Sequence, residues 1–450
     1  MSIDATPTAS PGKRYWRSLE ELAGSPHFQE MMRREFPEQA AEWTDVISRR
    51  RFLTLLGASF ALAGLSGCVS RPPEEKIFPY NRKPEEIIPG MPLYFATAMT
   101  LAGRAVGLLV ESHEGRPTKI EGNPQHPASL GATDVFAQAA VLTLCDPDRS
   151  QAVKYKGRPA AYPDCIRAIR DDLARRIKTG GAGLRILTET VVSPSLAGQL
   201  QMLLSDYPNS KWHQYEPASA DNALEGGILA FGESVNTRYD FAKADVILSL
   251  DADFLAHGSG HLASVRAFAS RRRIKSGPAD MNRLYVVEAT PTITGMKADQ
   301  RLSMRPSEIE FIARVLAKRL AFGAFVDLDS VSSPTKDFLD PLVEDLRQPG
   351  VSSVIVAGDG QPPVVHALAH AINHLLGNVG KTVVYTAPIE ARPVNQLASL
   401  KELVHDIEGG EVESLLILGG NPVYTAPADL RFADRLEKVP LRVHLSLYDD

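Results

Sequence analysis

Few residues in this sequence can do chemistry, and the rarest come first: there are only three cysteines, Cys68, Cys145 and Cys165. Cys68 follows Leu65-Ser66-Gly67. That is the pattern of a bacterial lipobox, in which small residues admit a peptidase and the thiol accepts a diacylglycerol. Each acyl methylene buried in a bilayer contributes about 0.8 kcal/mol, so two or three chains would hold a soluble body at the membrane surface. Upstream lies Ser48-Arg49-Arg50-Arg51-Phe52-Leu53. The adjacent Arg49 and Arg50, with Phe52 and Leu53 opening an apolar run, form a twin-arginine address for export of folded protein. The run from Phe52 to Gly67 is shorter than the ~20 residues of a spanning helix and reads as a signal core. These features place the chain at the periplasmic face of a bacterial cytoplasmic membrane, with Cys68 as lipid attachment. Cys145 and Cys165 are expected to be small buried hydrophobes, a disulfide between them being compatible with an oxidising compartment. Three cysteines are far too few for a disulfide-built scaffold.

Histidines offer the next chemistry. In His366-Ala367-Leu368-Ala369-His370-Ala371-Ile372-Asn373-His374, a spacing of four puts three imidazoles near one helical face, where zinc or haem can bind. The run is alanine-rich and leads into Leu375-Leu376-Gly377-Asn378. Histidines at a helix surface or domain interface need no metal, and none is expected here. His257 and His261 repeat the spacing with less support.

The elements that must position these residues follow from the rest of the chain. Its 450 residues, 44% hydrophobic and 23% charged, suit about two to four globular domains. With 49 basic against 54 acidic residues, a net charge of -5 provides no general attraction for nucleic acid. Residues 1–47 form an amphipathic leader, with helical spacing in Tyr15–Leu22 and His27–Met32 broken by Ser25-Pro26; 48–68 are the signal, and 69–92 a proline- and charge-rich tether. Residues 93–151 read as a β-rich domain in which Ala105–Glu111 and Pro117–Glu121 flank a Glu114-Gly115 turn. Beyond residue 152, apolar runs alternating with helical patterns predict an α/β fold around mostly parallel sheets, divided into domains at 152–345 and 346–450. Candidate strands are Leu184–Leu187, Val246–Leu250, Leu284–Glu288, Val354–Ala357, Val383–Thr386, Leu415–Leu418 and Leu441–Leu445. Loops after several of them carry glycine or aspartate, as in Leu250-Asp251-Ala252-Asp253, Gly358-Asp359-Gly360 and Gly419-Gly420-Asn421-Pro422. Strand carboxyl ends are where ligands bind in such folds. No phosphate-binding Walker loop or complete dinucleotide fingerprint is present.

The order of motifs resembles the molybdopterin oxidoreductases of the dimethyl sulfoxide reductase type. The likeness starts in Glu114-Gly115-Arg116-Pro117-Thr118-Lys119-Ile120-Glu121-Gly122-Asn123-Pro124-Gln125-His126-Pro127. It continues through Cys145–Arg149, Ala244–Ser249, Glu288–Thr292, Leu376–Lys381 and Gly419–Pro422. Tyr15–Leu22 followed by a late twin-arginine signal is similar to the B subunits of alternative complex III, over residues 13–450. This resemblance implies the domain layout of the formate dehydrogenase and dimethyl sulfoxide reductase fold. It also implies partners: membrane quinol-oxidising subunits, cytochrome c subunits and a ferredoxin-like iron–sulfur domain.

Family patterns also say what should be here and is not. Where catalytic relatives place a cluster-binding cysteine motif, this chain has Leu93–Gly103 without a cysteine. A [4Fe–4S] cluster needs about four thiolates, and none is expected on this chain. The loop that supplies a molybdenum ligand in relatives corresponds to Tyr215–Asp221, where Ser219 or Asp221 would be the only candidates; turn formers and helix caps explain both as simply. The expectation is a non-catalytic scaffold of a periplasm-facing respiratory electron-transfer complex, with neither catalytic, cofactor-binding nor metal-binding residues of its own. Its rival is a catalytic periplasmic molybdopterin oxidoreductase that reduces a sulfur or arsenic compound.

Overall fold

The computed structural model describes residues 25–27, 30, 85–258, 260–273, 281–322 and 332–450. Arg49, Arg50, Phe52, Leu53 and Cys68 lie outside them, as do nearly all of the leader and most of the tether. The chain groups into two compact units, Met1–Pro84 and Glu85–Asp450.

The second unit opens with a three-stranded antiparallel meander, β1 (Leu93–Leu101), β2 (Arg104–His113) and β3 (Arg116–Gly122). The expected hairpin is β2–β3: Glu114 and Gly115 both take positive φ, the geometry that suits a tight turn between twisted strands. Its apolar face, with Leu108 and Ile120, packs on Ala137 of helix α1 (Val135–Ala139). Asp134 starts that helix by accepting the Ala137 amide at 2.7 Å. A two-residue ribbon, β4 (Lys154–Tyr155) with β5 (Arg158–Pro159), leads to α2 (Tyr162–Arg176).

The α/β body then begins with β6 (Leu184–Thr188), α3 (Pro194–Asp206) and β7 (Lys211–Gln214). From there the chain passes through α4 (Asp221–Phe231), β8 (Asn236–Tyr239), β9 (Val246–Leu250), α5 (His261–Arg271), β10 (Arg283–Glu288) and β11 (Gln300–Ser303). It continues with α6 (Pro306–Phe322), α7 (Ser333–Arg347), β12 (Ser353–Ala357), α8 (Pro363–Leu375) and β13 (Val383–Thr386), and returns through α9 (Gln396–Glu408), β14 (Ser414–Leu418) and β15 (Leu441–Leu445).

Two parallel sheets result, in the orders β15-β14-β6-β7 and β11-β10-β9-β12, beside an antiparallel β13-β8 pair. Every residue of β6 and of β9 is buried, as expected of uninterrupted apolar strands covered by helices on both faces. All seven candidate strands exist with bounds shifted by at most one residue.

A linear division at residue 345 does not describe these sheets. β12 pairs with β9, Ile355 opposite Leu248, and β14 pairs with β6, Leu416 opposite Ile186. Parallel strands need crossovers but not proximity in sequence, so the segment from α4 to β13 is an insertion into the first sheet's fold. The cysteines also differ from expectation. Cys145 is exposed and Cys165, in the first turn of α2, is half-buried, so neither is a core residue, and neither is in a disulfide. Among the described residues no helix is long and apolar enough to cross a membrane.

Candidate ligand cleft

In the inserted sheet the strand order reverses between β9 and β12, and the crevice outside such a reversal is where α/β folds bind ligands. Here the crevice is tightly knit. Asp251, just past β9, takes a left-handed φ of 58°. Its carboxylate accepts Gln361 Nε2 at 2.9 Å, and its amide donates to Val287 at 2.7 Å. Gly358 sits so close that a Cβ there would lie 2.0 Å from the Asp251 carbonyl oxygen. Asp253 is committed too, accepting the amide and hydroxyl of Thr294 at 2.9 and 2.7 Å. Above these ends opens a cleft of about 2710 Å³, walled also by the β1–β2 turn, the loop after β3 and Pro217-Ala218-Ser219.

The cleft's charges lean positive. Arg104, Arg238, Lys243, Arg266, Arg273 and Lys381 line it, against Asp134, Asp240, Asp253 and Asp359. Arg104 pairs with Asp359 at 3.5 Å, tying the meander to the end of β12. Arg266 donates to the Leu130 carbonyl at 2.9 Å, and His261 approaches Asp134 at 3.7 Å. Apolar side chains, including Phe136, Ile293 and Met296, stand exposed on the walls. Such a surface suits an anionic, partly apolar organic ligand.

The first sheet reverses between β6 and β14, and a smaller pocket of about 140 Å³ lies at those ends, lined by Glu189, Tyr215 and the Gly419-Gly420-Asn421 loop. Beside it runs a buried polar chain. Thr190 donates to Glu216 at 2.7 Å, Gln396 Nε2 donates to Thr190 at 2.7 Å, and the Glu216 amide donates to Gln396 Oε1 at 2.7 Å. Burial pushes the Glu216 carboxyl above its ordinary range, the Thr190 hydrogen bond opposes this, and the charge of Glu189 adds to it. Burial raises Glu390 as well. Sequence reading missed these residues, because Glu216 follows a strand, Lys-Trp-His-Gln, that has too few aliphatic residues to be recognised.

The two candidate metal ligands part company. Ser219 lines the large cleft. Asp221 instead accepts the amides of Gln396 and Leu397 at 2.9 and 3.1 Å, capping the start of α9 with both carboxylate oxygens. The three histidines do share α8, but His374 is exposed while His366 and His370 are buried. His370 hydrogen-bonds the Tyr385 hydroxyl at 3.1 Å and packs edge-on against that ring. His366 presses on Gly226 of α4, where a Cβ would come within 2.3 Å of its own Cβ. His257 is exposed on the cleft wall, four residues from His261. For the molybdenum-bearing pterin that the resemblance implies, one of the two candidate ligands stands at the cleft: Ser219 lines it, whereas Asp221 is occupied and neither described cysteine lies there. Among the described residues no group of three or more His, Cys, Asp or Glu is placed to hold an ion without such a cofactor.

No known protein-family profile matches the chain. Among curated proteins it is similar to the molybdopterin-binding-like subunit of menaquinone reductase from Nitratidesulfovibrio vulgaris (strain Hildenborough). They are 26% identical over 409 residues, which is 81% of this chain and 57% of that protein. Among solved structures it is similar to acetylene hydratase from Pelobacter acetylenicus, with a TM-score of 0.50 and 13% identity, over 78% of this chain and 59% of that one. The formyltransferase/hydrolase complex from Methylorubrum extorquens gives a TM-score of 0.41 at 15% identity, over 65% of this chain and 81% of that one. The chain spans less than two thirds of the length of the first two proteins. In sequence, then, the chain is similar to a molybdopterin-binding-like subunit of a menaquinone reductase, and it has a mixed α/β fold like that of acetylene hydratase.

Proposed function

We propose that this chain is a non-catalytic scaffold subunit of a quinol-oxidising respiratory complex of the alternative complex III type. In this reading it has the domain layout of the dimethyl sulfoxide reductase fold. Cys68 anchors it by lipid at the periplasmic face after twin-arginine export. The observation that carries the proposal is the similarity, along 409 residues, to a subunit of a menaquinone-linked enzyme. The geometry of the candidate ligand loop supports it: one of its two candidate ligands, Asp221, is spent on capping a helix. Electrons then pass through iron–sulfur and cytochrome c partners, and this chain supplies shape.

Purification of the tagged protein from its own membranes tests this. Cytochrome c and polytopic quinol-binding subunits should accompany it, and elemental analysis should find no stoichiometric molybdenum or tungsten. Either metal at one atom per chain would sink the scaffold reading in favour of a molybdenum or tungsten enzyme. A second direction of electron flow, quinone reduction, is favoured by the name of the relative itself. Assaying the same complex for cytochrome c reduction by menaquinol, and for menaquinone reduction by a reduced donor, separates the two.

A further inference from the structure

The two parallel sheets end in crevices of opposite character. Six lysine and arginine side chains line the large cleft, whereas the pocket of about 140 Å³ where β6 and β14 end has no lysine, arginine or histidine in its wall. Its one charged residue is Glu189, immediately past β6. Among the described residues no group pairs or hydrogen-bonds with that carboxylate, and partial burial holds its carboxyl above the ordinary range. Gly419 lets it lie on the backbone of the loop after β14. A Cβ on Gly419, whose φ is a left-handed 76°, would stand 2.8 Å from Glu189 Oε2.

The hydroxyl groups of the wall point to the same kind of ligand. Thr188 donates to the Glu189 carbonyl at 2.6 Å, Tyr215 to the Thr425 carbonyl at 2.7 Å, and Thr425 to the Asn421 carbonyl at 2.9 Å. A hydroxyl has one hydrogen to give, and all three are spent within the protein. Thr188 also accepts Trp212 Nε1 at 2.9 Å, so Tyr215 and Thr425 are left with lone pairs to offer. Asn421 Oδ1 accepts the Tyr424 amide at 3.1 Å, which leaves its Nδ2 as the side-chain donor of the wall. An uncompensated carboxylate among such acceptors attracts a cation that donates hydrogen bonds and repels phosphate or carboxylate. A bare metal ion fits less well, since among the described residues no group of three or more His, Cys, Asp or Glu is placed to hold one. The rest of the wall includes Leu187, Ile417 and Pro422. An apolar cavity of about 150 Å³ takes a benzene, so this one has room for about six non-hydrogen atoms.

We infer that the pocket at the ends of β6 and β14 binds a small organic ammonium ion, a primary amine on a short apolar body, with its nitrogen on Glu189 and its carbons against Leu187, Ile417 and Pro422. This is independent of the scaffold reading, because it uses neither the large cleft nor any partner.

Isothermal titration of the purified full-length chain with n-butylammonium chloride tests this. Binding should saturate at one site per chain, and butan-1-ol, butyrate and inorganic phosphate at the same concentrations should give none. Tetraethylammonium, which has the charge but no N–H to donate and is too large for the pocket, should also fail. Glu189→Gln should weaken binding about tenfold or more, a change expected when a charged hydrogen-bond partner is lost. Glu189→Asp should fall between that variant and the wild type, and Glu437→Gln, at an exposed carboxylate elsewhere, should bind as the wild type does. Because the Glu189 carboxylate ties no element to another, circular dichroism should be the same for all of them. Full affinity in Glu189→Gln, equal binding of butan-1-ol or tetraethylammonium, or no binding of n-butylammonium at all would each overturn the inference.

Discussion

Asp221 shows how one carboxylate can be read two ways. In the loop that the sequence resemblance offers as a source of a metal ligand, it looks like a donor; in the folded chain both of its oxygens hold the first amides of α9. Asp221→Ala should lower the unfolding free energy by about 1 kcal/mol, the usual cost of losing a helix cap, and leave the metal content of the purified protein unchanged. Calorimetry alongside elemental analysis checks both; loss of a bound metal would return Asp221 to the ligand role. Gly226 is a second residue whose side chain, here its absence, decides packing. It lets α4 lie against α8, with His366 Cβ and the Pro363 carbonyl where a methyl would be. Gly226→Ala should cost about 1–3 kcal/mol through forced displacement of α8, seen as a lower denaturant midpoint with an unchanged slope.

Elements were legible where their own residues decide them. β6, β9 and β14 are apolar runs buried on both faces, and each is marked in the sequence by that alone. β7 (Lys-Trp-His-Gln), β8 (Asn-Thr-Arg-Tyr) and β11 (Gln-Arg-Leu-Ser) are not. All three lie at sheet or ribbon edges and are strands because of what they pair with, which a local pattern cannot contain. Pairing likewise hid the insertion of α4 through β13, since nothing near residue 414 says that β14 will lie on β6. The polar ties between such distant elements were equally invisible. Arg185 on β6 and Asp406 on α9 form an ion pair at 2.7 Å, each side chain 5% exposed, and Lys211 on β7 reaches the same carboxylate at 2.9 Å. Burial penalises the Asp406 charge, but hydrogen bonds from Lys211 and Arg185 outweigh it and hold its carboxyl below the ordinary range. Asp406→Ala would leave the buried Arg185 guanidinium with only the Leu184 carbonyl at 3.1 Å and the exposed Glu411 at 3.7 Å, so it should destabilise the protein by about 3 kcal/mol, the low end for breaking a buried pair. An effect below ~1 kcal/mol by urea denaturation would mean that water reaches the Arg185 side chain.

For the whole molecule, the first sheet and the insertion share one vulnerability to acid. His213 sits on β7 against the Ser399 carbonyl of α9, and His370 sits on α8 between the rings of Phe231 and Tyr385. Burial pushes each imidazole down to about 4; for His213 the nearby Glu402 and Asp406 oppose the shift and Arg185 assists it, and for His370 the neighbouring His366 assists it. In the unfolded chain both titrate near ~6.5. Between those values the unfolded state binds more protons than the folded one, so the stability they contribute is complete above ~6.5 and is lost as pH falls toward 4. Full loss amounts to about 3 kcal/mol per histidine at ~1.4 kcal/mol per pH unit. Glu216 and Glu390 work in the opposite sense. Their raised carboxyls take up protons in the folded state first, so acid favours folding through them. The wild-type curve sums these effects with the acid sensitivity of carboxyls held low in the folded state, Asp406 among them, and only variants separate them. His370→Gln and His213→Gln should each flatten the fall in unfolding free energy between pH 6.5 and 4. The double variant should show nearly the sum, since one site is on β7 of the first sheet and the other on α8 of the insertion, and they share no partner. Curves for His370→Gln that run parallel to wild type across that window would mean that the imidazole is already solvated in the folded state, and that the packing of α4 on α8 is looser than its aromatic contacts imply.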